Sequence, residues 1–194
     1  MGLKQLLEAN KLYFDDKFYE DCEVFIKLLQ QWGKIHNLSG RLTTEDIHEN
    51  ILDSLYPLNF IDNYESFADI GTGAGYPGLI ISIAKRNMNT YLIEPRIKRV
   101  SFLNFVKASL KLENLNILCN RVEEVKGLKV DLITSRAVTN TKLLLDITKN
   151  IKSEKCSYLF YKGSMINEEL ELTEINEYKI VKRNDRNYLY IKGE

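Results

Sequence analysis

The sequence predicts an α/β protein: a mostly parallel, seven-stranded sheet that ends in an antiparallel hairpin and stands behind an N-terminal helical extension. Three observations carry this. Up to about Tyr64 apolar residues recur at helical spacing, from Phe67 onward strand-like and helical stretches alternate, and the tail holds two strand-like runs joined by a short turn.

In chain order, Phe18, Cys22, Phe25, Leu28, Leu29 and Trp32 fall three and four apart, as do Ile47, Ile51, Leu55 and Leu58, so each set lies on one face of a helix. Thr43 with Asp46 forms a capping pair for the second of these. The first strand is Phe67-Ala68, followed by a helical pattern from Leu79 to Lys85. Further strands are expected at Thr90 to Ile93, Leu115 to Cys119, Val130 to Thr134 and Ser157 to Tyr161, with helices at Arg96 to Leu112 and Thr141 to Ile151. Such a βαβ series implies parallel strands. Lys179 to Lys182 and Tyr188 to Lys192 close the chain as an antiparallel pair across Arg183 to Asn187. The expected division is 1–64 for the helical extension and 65–194 for the sheet domain.

Composition sets bounds. The 194 residues suit one domain with an appendage, and 44% hydrophobic with 28% charged residues describes an ordinary soluble chain with no membrane-crossing run, so a cytoplasmic location is expected. Cys22, Cys119 and Cys156 are odd in number and widely spaced, which supports neither a disulfide framework nor a zinc site; all three are expected to be reduced and buried. The formal net charge is zero but uneven: Met1 to Ser66 carries 6 Lys/Arg against 12 Asp/Glu, whereas Lys85 to Lys142 carries 12 against 5. A basic field of that kind attracts a polyanion or forms a solvated lysine-rich face.

The motif richest in chemistry is Asp69-Ile-Gly-Thr-Gly-Ala-Gly-Tyr-Pro-Gly78, between the first strand and its helix. Gly71, Gly73 and Gly75 permit positive φ and close approach of a ligand, and Pro77 suits the first turn of a helix. A dinucleotide turn reads G-x-G-x-x-G, and here the third position is Tyr76. G-x-G-x-G behind Asp69 is instead the pattern of S-adenosylmethionine-dependent methyltransferases. Glu94, ending the second strand, is placed to accept hydrogen bonds from both ribose hydroxyls, as an acid does in methyltransferases and dehydrogenases alike. Val122 and Glu123 follow the third strand, where an adenine would lie against them or the segment is a plain charged loop. Arg136 follows the fourth, where it could meet a cofactor carboxylate, Glu123 or RNA phosphate, or form a structural ion pair. His36 and His48 have no convergent ligands and read as surface or packing residues.

Trp32-Gly-Lys-Ile-His-Asn-Leu-Ser39, Ile51-Leu-Asp-Ser-Leu55, the glycine turn, the run Lys98 to Leu103, Leu110-Lys-Leu-Glu-Asn114, Arg121-Val-Glu-Glu124, Ser135-Arg-Ala137 and Tyr161-Lys-Gly163 together resemble the bacterial ribosomal RNA small subunit methyltransferase G family, also known as glucose-inhibited division protein B. The resemblance spans about Trp32 to Gly163. It implies a Rossmann-like class I methyltransferase fold and transfer of a methyl group from S-adenosylmethionine to N7 of a guanine in the 530 loop of 16S rRNA, leaving S-adenosylhomocysteine. By position it implies cofactor contacts at Gly71, Tyr76, Val122, Glu123 and Arg136, and the family's usual histidine three residues before Asp53 is here Asn50. RNA contacts are expected at Arg41, Arg96, Lys98, Arg99 and Lys162, and Tyr76 could stack on a base or pack in the core. The expected partner is 16S rRNA in the small ribosomal subunit or an assembly intermediate, with a monomer favoured. The chain lacks the Asp/Asn-Pro-Pro-aromatic motif of amine methylation and a Pro-Cys or Thr-Cys nucleophile for pyrimidine carbon, since Pro57, Pro77 and Pro95 are isolated and the cysteines follow Asp21, Leu118 and Lys155. A dinucleotide-dependent oxidoreductase, suggested by Gly71, Gly73 and Glu94, and a non-catalytic cofactor-holding RNA-binding module are the alternatives.

Overall fold

The structure, a computed structural model, describes all residues except 37–41, 174, 176 and 194, and the backbone alone at 34–36. Arg41 and the end of the Trp32 motif therefore lie outside the described residues. Three helices, α1 (Leu3–Ala9), α2 (Asp16–His36) and α3 (Thr44–Leu55), and a 3-10 turn (Tyr56–Asn59) precede the first strand. Thr43 caps α3 as expected, its hydroxyl oxygen accepting from the Asp46 amide at 3.1 Å.

The sheet contains β1 (Ser66–Ile70), β2 (Asn89–Ile93), β3 (Leu115–Leu118), β4 (Val130–Arg136), β5 (Lys152–Lys162), β6 (Lys179–Arg183) and β7 (Arg186–Ile191), in the spatial order 3-2-1-4-5-7-6. The first five in that order pair parallel, and β7 pairs antiparallel with both β5 and β6. The hairpin turn is tighter than expected: only Asn184 and Asp185 separate the strands, and Asn184 takes φ +51°, a conformation asparagine tolerates in two-residue hairpin loops. The helices between strands are α4 (Gly78–Ala84), α5 (Ile97–Leu110), α6 (Thr141–Ile147) and α7 (Ile166–Glu171).

Period-2 alternation splits the strands between two cores. Phe67, Leu92, Leu132, Leu159, Tyr161 and Tyr188 face one cluster with residues of α1 to α5. Ala68, Ile93, Ile133, Phe160 and Leu189 face the other with Leu144 of α6 and Ile166 and Leu170 of α7. The N-terminal helices thus extend a core that the sheet shares, with Phe25 and Leu29 of α2 and Ile51 and Leu55 of α3 fully buried.

Three further details depart from expectation. The six-residue α7 buries only Ile166 and Leu170, too little periodicity to read from sequence, and α6 ends at Ile147 rather than Ile151 because Thr148 to Ile151 turns into a longer β5. Cys22 and Cys156 are buried, but Cys119 is exposed, one residue past the end of β3. No helix among the described residues is long and apolar enough to cross a membrane.

Candidate functional site

β1 pairs with both β2 and β4, and the chain runs outward from β1 to β3 before crossing to β4. That reversal opens a crevice at the carboxyl ends of the strands, the place where open α/β sheets bind ligands. The glycine turn sits there. Gly71, Gly73 and Gly75 have φ of +65°, +60° and +106°, so all three adopt conformations that L side chains avoid.

A cleft of about 300 Å³ opens beside the turn. It is bounded by Gly71 below β1, Glu94 and Arg96 beyond β2, Arg99 on α5, Val122 and Glu123 beyond β3, and Val138 beyond β4. Four of the residues expected around a cofactor, Gly71, Glu94, Val122 and Glu123, meet in this cleft. A Cβ on Gly71 would come within 2.6 Å of the Val138 side chain, so the cleft floor requires glycine.

Glu94 is 2% exposed and held at both oxygens. One oxygen, Oε1, accepts from the Arg96 amide at 3.0 Å, and Oε2 accepts from the Gly73 amide at 3.0 Å and from Arg99 Nη1 at 3.4 Å. The carboxylate also complements the exposed N-terminal dipole of α5, whose first turn carries no acid of its own. Val122 and Glu123 are carried by a short 3-10 turn (Val122–Glu124), which Asn150 pins by donating to the carbonyls of Val122 and Val125 at 2.9 and 2.8 Å.

Of the other expected cofactor residues, Gly73 stands at the front of the turn with its amide on Glu94, and Asp69, Gly75, Tyr76 and Arg136 lie behind it. Asp69 is fully buried: Oδ2 accepts from the Gly78 amide at 3.0 Å and Oδ1 from the Thr134 hydroxyl at 2.7 Å. Burial pushes its carboxyl up to about 6 against the lowering effect of those donors. It shapes the turn rather than lining the cleft. Gly78, not Tyr76, is the glycine that lets helix and strand approach, since a Cβ there would meet Asp69 Cβ and Leu92 Cδ2 at 2.5 Å each. Its place at the end of the glycine run was the available signal.

Tyr76 corrects the idea of a base-stacking aromatic. It is 6% exposed, packs edge-to-face on Phe25 at 5.7 Å between ring centroids, and lies under the Arg136 guanidinium at 4.9 Å. Burial raises its hydroxyl pKa, and the oxygen has no partner among the described residues. Arg136 forms an ion pair: Nη1 donates to Asp53 Oδ2 at 3.0 Å and to Asn50 Oδ1 at 2.8 Å. Asp53 Oδ1 also accepts from Arg186 Nε and the Tyr188 hydroxyl at 3.1 and 2.9 Å. Asn50, where the resembling family usually has histidine, is thus a second acceptor for Arg136, joining α3 to the end of β4.

Of the expected RNA contacts, Arg96 and Lys98 are exposed and Arg99 is half-buried. Lys162 departs from expectation. It is 7% exposed, and its ammonium donates to Glu169 Oε2 at 2.7 Å and to the Thr139 carbonyl at 3.0 Å, so it is spent inside the fold. Arg121, exposed on the rim of the cleft, was not singled out from sequence; its place in the R-V-E-E run was the only signal.

The strand order with one reversed strand, the glycine turn after β1 and the acid after β2 define a class I S-adenosylmethionine-dependent methyltransferase fold. A solved methyltransferase from Geobacter sulfurreducens shares it, with a TM-score of 0.63, 12% identity and 88% of each chain covered. Sequence comparison is more specific. The chain belongs to the family described as rRNA small subunit methyltransferase G, whose profile matches residues 19–190. Relatives named "Ribosomal RNA small subunit methyltransferase G" include one from Aliarcobacter butzleri, 78% identical and covering 98% of both chains, and one from Wolinella succinogenes, 41% identical over 99% of this chain and 98% of its own. Membership sets aside the dinucleotide-dependent oxidoreductase.

Proposed function

We propose that the protein transfers a methyl group from S-adenosylmethionine to N7 of a guanine in the 530 loop of 16S rRNA, in the cytoplasm, on the small ribosomal subunit or its assembly intermediate. The observation that carries this is the convergence of Gly71, Glu94, Val122 and Glu123 on one cleft in a chain of this family. The donor set fits an adenosyl group: a carboxylate for ribose hydroxyls, a floor with no Cβ, and Val122 as an apolar wall for adenine. When bound, S-adenosylmethionine supplies an electrophilic methyl on a sulfonium.

Guanine N7 carries a lone pair in the neutral base, so the protein needs no general base. Its task is to hold the acceptor in line and exclude water, and orientation alone lowers such barriers by roughly 7 to 11 kcal/mol in favourable cases. Glu94, fixed by the Gly73 and Arg96 amides, positions the ribose, and the fully enclosed Asp69 keeps the turn in shape. Arg96, Arg99 and Arg121 on the cleft rim, with Lys98 beside them, receive RNA phosphates. Residues 1–64 serve as a helical extension that braces the back of the turn through Asp53 and Phe25.

The test is labelled methyl transfer to small subunits from cells lacking this protein. Incorporation at a single N7-methylguanine in that loop supports the assignment. Transfer to a different atom removes it, and no transfer at all returns the non-catalytic RNA-binding module.

A further inference from the structure

A second cavity, of about 290 Å³, adjoins the cleft. The two share Ala137 and Val138 as walls. Ala137 has φ +57°, a left-handed conformation costly for a residue with a Cβ and most often retained beside functional sites. The second cavity is bounded further by Leu144, Lys162, Gly163, Glu169 and Arg186.

Its polar group is lopsided. Glu169 Oε2 accepts from the Thr141 amide and hydroxyl, each at 2.8 Å, and from Lys162 at 2.7 Å. Oε1 accepts nothing among the described residues. Burial works against the charge, but the hydrogen bonds from Lys162 and Thr141 outweigh it and hold the carboxyl below its usual range, so the open oxygen is a pure acceptor at neutral pH. No flexible surface side chain offers this: Lys162 and Thr141 are both buried, and they fix the carboxylate from below.

An acceptor-only oxygen in a cavity beside a methyl-donor cleft selects bases by the pattern on their Watson–Crick edge, the edge read when a base leaves its stack. Guanine alone presents two adjacent donors there, N1–H and the N2 amino group. Adenine and cytosine set a ring-nitrogen lone pair next to their amino group, and uracil flanks its single N–H with carbonyls. A guanine held by that edge also presents N7 from the opposite side of its ring system. We propose that this cavity is the acceptor-base pocket and that Glu169 reads the N1–H and N2–H donors of the target guanine, with Val138 and Leu144 as its apolar walls. The inference rests on the methyl-transfer reading above.

The experiment compares wild type with Glu169→Gln on small subunits whose 16S rRNA carries either guanine or inosine at the target position. Inosine keeps N1–H and N7 and lacks only the N2 amino group. In the variant the amide oxygen retains the Lys162 and Thr141 donors, and the amide nitrogen turns a donor toward the base. Expected are a fall of about 10- to 100-fold in kcat/KM on guanine, the scale of one charged hydrogen bond, unchanged affinity for S-adenosylhomocysteine, and loss of the wild-type preference for guanine over inosine. Activity on guanine within about twofold of wild type, or a guanine/inosine ratio unchanged by the substitution, overturns the proposal. Should the variant fail to fold, equal wild-type rates on the two bases overturn it instead. Absence of any methyl transfer by wild type removes the methyltransferase reading itself, an outcome distinct from both.

Discussion

Gly71 and Gly73 stand half-exposed at the front of the turn, whereas Gly75 and Gly78 are buried behind it. The front faces Glu94 and the open cleft. The rear faces Asp69, Leu79 and Leu92. Beyond it lies the Tyr76, Arg136, Asp53 and Asn50 network, which ties α3 to the sheet. One short motif therefore answers to two demands. Front residues are fixed by what a ligand requires, and rear residues by how closely a helix must approach a strand. The division predicts that rear substitutions lower stability first, while front substitutions lower cofactor affinity and leave the fold intact.

The largest effect is expected deepest in the rear. Asp53→Ala leaves the Arg136 and Arg186 guanidiniums without their shared carboxylate, and stability measured by urea unfolding should fall by about 3 to 5 kcal/mol, the range for breaking a buried pair from one side. A small change would place Arg136 with the front. Asp69 is next. Burial raises its carboxyl from 3.8 to about 6, so the native state binds this proton more tightly than the unfolded chain does. The stability it contributes is full below pH 3.8 and is lost as pH rises to about 6, a difference of roughly 3 kcal/mol. Carboxyl carbon NMR should find its midpoint near 6, with Asp62 and Asp146, each hydrogen-bonded to a lysine, below 3.8. Third, Gly78→Ala forces a Cβ against Asp69 and Leu92 at 2.5 Å. Overpacking of this kind costs about 1 to 3 kcal/mol, seen as a lowered melting temperature.

Much of this architecture was legible because the residues that carry it are close in sequence. Strand runs such as Thr90 to Ile93 and the turn from Asp69 to Gly78 announce themselves through periodicity and glycine spacing, and Glu94 follows from its place after β2. What was hidden depends on residues far apart. Arg136 could have met a cofactor, RNA or a carboxylate, and only the packing of α3 on the sheet brings Asn50 and Asp53 to it. Lys162 looked free beside a glycine, until α7, too short to show periodicity, delivered Glu169. Tyr76 was ambiguous for the same reason: whether an aromatic after a glycine turn stacks on ligand or core is decided by α2, which places Phe25 against it.

The front of the turn offers the most direct test. Calorimetric titration of S-adenosylhomocysteine into Glu94→Ala, run beside a thermal melt, reads affinity and stability on one variant. The account predicts binding weaker by about 1.5 to 3 kcal/mol, the scale of hydrogen bonds to a charged group, with the fold retained as a single cooperative melt, lowered because the Gly73 and Arg96 amides lose their acceptor. Undiminished affinity, whatever the melt, would contradict the placement of the cofactor in the cleft between Gly71, Glu94 and Val122.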